Sequence, residues 1–122
     1  MDFKDLLAYK KAFELSMSIF DVSKSFPKEE TYSLTDQIRR SSRSVCANLS
    51  EAYRKRKYPK HFISKLTDAD GENSETSTWL DFALECKYIS KEIHSEFSSQ
   101  GNEIGKLINY MINHPEKFGV KV

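Results

Sequence analysis

The sequence is poor in the residues that break and turn a chain. Its 122 residues include 4 glycines and 3 prolines, which is little material for the many tight turns of an all-β fold. It also lacks any apolar run near the roughly 18 residues that span a bilayer. Acidic residues stand among the first few positions, so no signal peptide is expected. These absences favour a helical protein without a membrane partner.

Cysteine is scarce too. Cys46 and Cys86 stand far apart in helical patterns and match no metal-binding spacing. Without an export signal, we expect reduced, buried thiols in the cytoplasm, with a disulfide or a catalytic thiol as the alternative.

The sequence motifs of nucleophile-bearing and phosphate-binding loops are missing. No histidine follows a glutamate by three residues, as it does in di-metal bundles. The sequence therefore predicts no catalytic residue, no metal and no cofactor.

Apolar residues instead recur at three- and four-residue spacing, which is the pattern of helices packed on a core. Four helices are predicted, over residues 4–26, over 32–57, from Pro59 for about 35 residues, and up to Pro115. Ser33 with Asp36 is expected to cap the second helix, and Ser95, Ser98 and Ser99 offer caps for the fourth. Because the connections are short, neighbours should be antiparallel. The sequence therefore predicts an all-α protein with a single domain over residues 1–122. Its helices should form an antiparallel, up-down-up-down four-helix bundle.

The first helix carries two adjacent apolar seams. One consists of Leu6, Phe13, Met17 and Phe20, and the other of Ala8, Ala12, Leu15, Ile19, Val22 and Phe26. So wide an apolar face must contact more than one neighbour. It exceeds what one bundle can cover, which predicts a stable homo-oligomer.

The second helix organises the chain, because it holds all five arginines. Ile38 and Leu49 lie at the centre of its apolar stripe. A one-sided basic edge is predicted from Arg39, Arg43 and Arg54. Arg40 and Glu51 are expected to point roughly away from the core.

Charge is distributed unevenly along the sequence. Residues 36–60 contain eight Lys or Arg and two acids, while residues 68–103 contain nine acids and two Lys. Basic side chains bind phosphates, and the interleaved tyrosines can stack on unpaired bases. We predict RNA or DNA binding by Arg39, Arg40, Arg43, Arg54, Lys55, Arg56, Lys57 and Lys60. A solvated helix end is the alternative for the run at 54–57, since cations also suit a helix C-terminus.

Polar residues also occur at inward spacing. A hydrogen-bonded layer that fixes the register of the helices is predicted from Asn48, Glu51, Asn73 and Glu75. Glu72 and Glu75 are expected to pair with Arg39 or Arg43, with cation binding as the alternative. If the arginines are used in such internal salt bridges, the protein is a structural or adaptor oligomer that binds a protein partner.

The second and third helices resemble a known family. The resemblance runs along Phe26-Pro27-Lys28-Glu29-Glu30, Tyr32-x-Leu34-x-x-Gln37-x-Arg39-Arg40, Ser44, Asn48-Leu49-Ser50-Glu51-Ala52, Glu75-x-x-Thr78-x-Leu80, Ala83 and Tyr88. This pattern is similar to that of four-helix bundle proteins encoded in intervening sequences of bacterial 23S ribosomal RNA genes. The accessory variability protein of diversity-generating retroelements is related to them. Ala52 stands where the family usually has glycine, and Glu72 where serine is common.

The resemblance has implications for assembly and partners. Members of the family that this chain resembles form ring-like homopentamers of antiparallel bundles. The resemblance therefore implies a pentamer for this chain. The retroelement relatives are described as binding nucleic acid and a reverse transcriptase through basic surfaces. An RNA or DNA partner is therefore implied, together with a possible protein partner. No member is known as an enzyme.

Overall fold

The structure is a computed structural model that describes residues 2–121. Within that range the chain forms four α-helices, α1 (Leu7–Ser23), α2 (Asp36–Arg54), α3 (Pro59–Glu85) and α4 (Lys91–Asn113). Short helical turns flank them at Phe3–Asp5, Lys28–Glu30, Thr31–Thr35 and Pro115–Phe118. Strands are absent from the described residues. The prediction of an all-α four-helix fold is confirmed.

Each helix packs against the next one along the chain, and α1 also packs against α4. This cycle of contacts closes the helices around a shared core and fits the predicted up-down-up-down order. The core includes the fully buried side chains of Ile19, Ile38, Leu49, Phe62, Leu66, Leu80, Ile104, Ile108 and Met111. Burying a side chain of this size contributes roughly 1.5–3 kcal/mol.

The two apolar seams predicted for the first helix are buried unequally, although Leu6 of the outer seam is in the core. Ala12, Leu15 and Ile19 are at most 3% exposed, whereas Phe13 and Met17 on the other seam are 49% and 45% exposed. The outer seam therefore leaves apolar side chains at the surface of the single chain.

The first two helices begin later than predicted. Leu6 adopts an extended conformation between the turn at Phe3–Asp5 and α1, so the predicted helix over 4–26 is too long at both ends.

A π-helical turn at Thr31–Thr35 leads directly into α2. The hydroxyl of Ser33 donates to Glu30 at 2.5 Å. Ser33 therefore does not cap the second helix, and that prediction is wrong.

The third helix begins at Pro59, as predicted, but it ends at Glu85 and has 27 residues. The amides of Lys87 and Tyr88 donate back to the carbonyls of Leu84 and Ala83 at 2.9 and 2.8 Å. This is a Schellman motif, and Lys87 occupies its left-handed position with φ 64°. The sequence has no glycine at this position to mark the stop, which is why the predicted helix was too long.

The start of α4 is also different from the prediction. Ser90 is the N-cap, and its hydroxyl accepts a hydrogen bond from the amide of Ile93 at 3.1 Å. Ser95, Ser98 and Ser99 lie inside the helix, so the prediction that they cap it is wrong. The side of α4 that faces the core carries the buried side chains of Phe97, Ile104, Ile108 and Met111.

The two cysteines have different environments. Cys46 is buried in α2, and burial raises the pKa of its thiol to about 11. Cys86 is free and exposed at the end of α3, so the expectation that both thiols are buried is wrong for Cys86. None of the helices within residues 2–121 has the length and apolar character needed to cross a membrane.

Candidate nucleic-acid interface

The outer side of α2 carries two arginines that lie over an aromatic ring of α1. The guanidinium carbons of Arg39 and Arg43 are 4.7 and 5.4 Å from the centre of the Phe20 ring. The Nε atom of Arg39 also donates to the hydroxyl of Ser23 at 2.7 Å. These contacts hold both positive groups at the edge between α1 and α2. Arg39 is half-buried there and Arg43 is exposed.

A broad depression of about 580 Å³ follows this edge. It is lined by Phe20, Asp36, Arg39, Arg40, Arg43, Ser44 and Ala47. Arg39 and Arg43 form no ion pair within residues 2–121 and stand against the one carboxylate of the lining, Asp36, so this surface is positively charged. We call it the arginine depression. Its charge and its shape suit a phosphate backbone lying along the helix.

Arg40 is the arginine that pairs with α3. Its Nη1 atom lies 2.9 Å from Glu72, and its Nη2 atom contacts Glu75. Partial burial acts to lower the pKa of Arg40, but the two carboxylates outweigh it and raise that pKa. Glu75 also accepts a hydrogen bond from the indole of Trp79 at 3.3 Å. The prediction that Arg39 or Arg43 pairs with these glutamates is therefore wrong.

A second group of cations surrounds the end of α2. Arg54 is the last residue of the helix, Lys55 is its C-cap, and Arg56 and Lys57 lie in the following turn. The predicted helix over 32–57 is thus too long at its end. The guanidinium of Arg56 lies 3.7 Å from the centre of the Tyr53 ring, and its Nε atom donates to the Tyr53 carbonyl at 2.9 Å.

This end of the bundle contains a cavity of about 570 Å³. It is lined by Asp2, Tyr53, Arg54, Arg56, Lys57 and Gly119. We call it the end cavity. Lys55 and Lys60 are exposed nearby but do not line it. The sequence-predicted cations therefore divide into the arginine depression, the end cavity and two peripheral lysines.

The predicted polar layer is not one layer. The amide of Asn48 donates to the carbonyl of Ser44 in its own helix at 3.0 Å, so the expected pairing across to α3 is not seen. Glu51 is exposed and pairs with Lys65 of α3 at 2.9 Å. Asn73 does bridge two helices, because its amide donates to the carbonyl of Gly101 in α4 at 2.9 Å.

The buried polar contact between α2 and α3 comes from two smaller residues. The hydroxyls of Ser41 and Thr76 lie 2.8 Å apart and are at most 2% exposed. Both residues lie at positions where the helical spacing of the apolar residues continues. Ser41, for example, comes three residues after Ile38. That spacing identifies Thr76 as an inward residue of the third helix, and it was also the available signal for Ser41, which was not predicted to be buried.

Two further contributors to the candidate site were also missed. Phe20 and Ser23 support the arginines from α1, but nothing in the sequence shows which residues of α1 and α2 meet. The contact between Tyr53 and Arg56 has a local signal, since the residues are three positions apart.

The titratable residues do not assemble a recognisable catalytic centre. Residues 2–121 contain no group of three or more His, Cys, Asp or Glu arranged to hold a metal. Asp81 and Ser98 both contact the same nitrogen of His94, Nε2, at 2.8 and 3.5 Å. In a nucleophilic triad the acid and the hydroxyl use opposite ring nitrogens, so this cluster has the wrong geometry.

Four packed helices with a cation-rich second helix define a class of small all-α bundle proteins. The family model for the 23S rRNA-intervening sequence protein matches residues 4–110. The chain belongs to this family, and the resemblance found in its second and third helices is confirmed.

A solved structure supports the same conclusion. It is a protein of unknown function from the S23 ribosomal protein family of Bacteroides thetaiotaomicron, to which this chain is 31% identical. The match covers 90% of this chain and 98% of that chain, with a TM-score of 0.80. No curated protein sequence matches significantly. Neither description names a reaction, a ligand or an oligomeric state.

Proposed function

We propose that this protein is a non-catalytic nucleic-acid-binding protein whose second helix contacts the phosphates of RNA or DNA. The observation that carries the proposal is the placement of five cations around two surface concavities. These are Arg39, Arg43, Arg54, Arg56 and Lys57. Within residues 2–121 none of them forms an ion pair with a carboxylate. Their charge is therefore available to an external polyanion.

The distribution of charge over the chain supports the same function. Residues 36–60 carry eight basic and two acidic residues, a net +6, in a protein whose formal net charge is +1. A polyanion is attracted to this region and repelled by the acidic stretch over residues 68–103. Contacts of this kind bind without sequence preference, because they are made to phosphates and not to base edges.

The test is the affinity of the folded protein for single-stranded RNA and DNA. Replacing Arg54, Lys55, Arg56 and Lys57 together with alanine should weaken binding to all sequences alike. A matched control removes four exposed lysines that line neither concavity, Lys28, Lys87, Lys91 and Lys106. It changes the net charge equally and should bind much as the wild type does. Equal affinity of all three proteins would reject the basic run as a binding surface.

The second candidate function is a structural or adaptor oligomer that binds a protein partner such as a reverse transcriptase. One observation favours it, namely the use of Arg40 in an ion pair with Glu72 and Glu75 of α3. This shows that part of the basic helix has an internal role. The candidate is preferred if no nucleic acid binds.

We also propose that the chain forms a homo-oligomer, a homopentamer as the family resemblance implies. The exposed seam of α1, with Phe13 and Met17 about half exposed, supports contact with a second copy. Sedimentation equilibrium at about 10–50 micromolar, a range that detects weak association, should give a mass several times 14.2 kDa.

The α1 seam can be tested in the same experiment. Substituting Phe13→Ser and Met17→Ser together should lower the mass, whereas Tyr110→Ser on α4, whose side chain is 43% exposed, serves as a matched control. A 14.2 kDa monomer for the wild type would contradict the proposal.

A cytoplasmic location belongs to the same proposal. The two cysteines are both free, which suits a reducing compartment.

A further inference from the structure

The end cavity differs from the arginine depression in its position and in its lining. It lies where α2 ends, and its wall is completed by Asp2 and Gly119 from the two ends of the described chain. Its volume of about 570 Å³ falls in the range of sites that enclose small ligands, roughly 300–1,000 Å³. The arginine depression has a similar volume of about 580 Å³, so the two sites are distinguished by their lining and not by their size.

Arg56 is fixed at the wall of the cavity before any ligand arrives. Its guanidinium is stacked at 3.7 Å on Tyr53, which is 5% exposed. Its Nε atom donates to the Tyr53 carbonyl at 2.9 Å, and its Nη1 atom donates to the Phe118 carbonyl at 3.4 Å. A guanidinium has five N–H donors, so further N–H groups are left to face a ligand. A planar fork held in place in this way matches two oxygens of a phosphate.

The charges at the cavity match a doubly charged anion. Arg54, Arg56 and Lys57 contribute three positive charges, and Asp2 contributes one negative charge. The carboxylate of Asp2 is engaged at the start of the chain, where it accepts from the amide of Phe3 at 2.6 Å. The net charge of the lining is therefore +2. A phosphomonoester carries about −1.5 to −2 at neutral pH, whereas an internal phosphodiester carries a single negative charge.

Gly119 brings the backbone close to Arg56. Its φ is +82°, a conformation that favours glycine, and a Cβ at this position would lie 3.2 Å from Nη1 of Arg56. The last turn can therefore approach the guanidinium without a side chain between them. A substitution at this position would move Arg56 or the wall.

We infer that the end cavity binds the terminal phosphomonoester of a nucleic-acid strand. The inference rests on the proposed nucleic-acid binding and identifies which part of the strand occupies this site. A terminal phosphate presents three free oxygens to the three cations, while its single ester bond leads the strand out of the cavity. The strand then runs along α2 to the arginine depression. Arg43 and Arg54 are 11 positions apart, which is about 16.5 Å along a helix or about five nucleotides of one strand.

The test compares one single-stranded 12-mer with four kinds of end. These carry a 5′-phosphate, a 3′-phosphate, hydroxyls at both ends, or no end because the strand is circular. We expect a phosphate at one of the two ends to tighten binding about tenfold or more over the hydroxyl form. The two phosphorylated forms show which terminus is bound. The circular form should bind no better than the hydroxyl form.

Three variants assign this preference to the cavity. Arg56→Lys keeps the charge but loses the fork, and Gly119→Ala disturbs the wall, so both should reduce the preference for a phosphorylated end. Arg43→Ala should weaken every oligonucleotide alike and keep the preference. Thermal unfolding of each variant confirms that it is folded.

The outcomes separate the two proposals. Equal affinity for phosphorylated, hydroxyl and circular strands overturns the terminal-phosphate site and leaves the nucleic-acid interface standing. Failure to bind any of the four strands overturns both. An undiminished preference in folded Arg56→Lys and Gly119→Ala proteins also contradicts assignment of the site to this cavity.

Discussion

The five arginines of this chain have different roles, because each is defined by its immediate neighbours. Arg40 is paired with two glutamates of α3, and Arg39 and Arg43 lie over Phe20. Arg56 is stacked on Tyr53. Exposed cation–π contacts of this kind contribute about 0.5–1 kcal/mol, enough to bias the position of a long side chain. The positive charges of α2 and of the turn after it are therefore held at two defined sites, the arginine depression and the end cavity.

The two cysteines give a prediction at this scale. Cys46 is 8% exposed and burial raises its pKa to about 11, so at pH 7.5 it is protonated and shielded. Cys86 is exposed. Because the thiolate is the reactive form, we expect a thiol reagent to modify one cysteine per folded chain and two per unfolded chain. Rapid modification of both in the folded protein, or of one in folded Cys86→Ser, would contradict the burial of Cys46.

At the scale of the elements, the end of α3 shows a conflict between sequence and backbone. The Schellman motif places Lys87 in the left-handed region at φ 64°, where a side chain costs roughly 1–2 kcal/mol. Lys87→Gly should therefore stabilise the protein by about 1 kcal/mol and raise Tm by about 4 °C.

The control for this substitution is Lys87→Ala, which removes the same charge but keeps the strained conformation. It should not raise Tm. Thermal denaturation followed by circular dichroism measures all three proteins. A Tm for Lys87→Gly at or below that of Lys87→Ala would mean that the backbone at this turn is not strained.

The helices themselves were predictable because their signals are local. Apolar spacing identified the number and order of the helices, Pro59 marked the start of α3, and Pro115 followed the end of α4. Helix ends were less predictable. The stop at Glu85 depends on a lysine in a position that usually carries glycine. The N-cap of α4, Ser90, lies inside the stretch that was predicted as one continuous third helix.

The candidate site was predictable in its composition but not in its arrangement. A run of cations on one helix is visible in the sequence, and so is a polar residue in an apolar stripe. Which carboxylate meets which arginine depends on the rotation and register of two helices, as the pairing of Arg40 with Glu72 shows. The contribution of Gly119 to the end cavity depends on the approach of the last turn to Arg56, and these two residues are 63 positions apart in the sequence.

At the scale of the whole molecule, charge is distributed unevenly among the elements. All five arginines lie on α2 and the turn after it, while residues 68–103 hold nine acids against two lysines. With such a distribution, a polyanion is attracted mainly to α2 and the turn after it. Binding through this region should be strongly dependent on salt, because each phosphate that is neutralised releases condensed counterions.

The most direct test of the nucleic-acid interface is therefore the salt dependence of affinity for one single-stranded oligonucleotide. Each phosphate contact contributes a slope of about −0.7 in a plot of log affinity against log salt. The wild type should show a steep negative slope, and alanine at Arg54, Lys55, Arg56 and Lys57 should flatten it by up to about 3. The variant lacking Lys28, Lys87, Lys91 and Lys106 should keep the wild-type slope. Identical slopes for the wild type and the four-alanine variant would contradict binding through the end of α2.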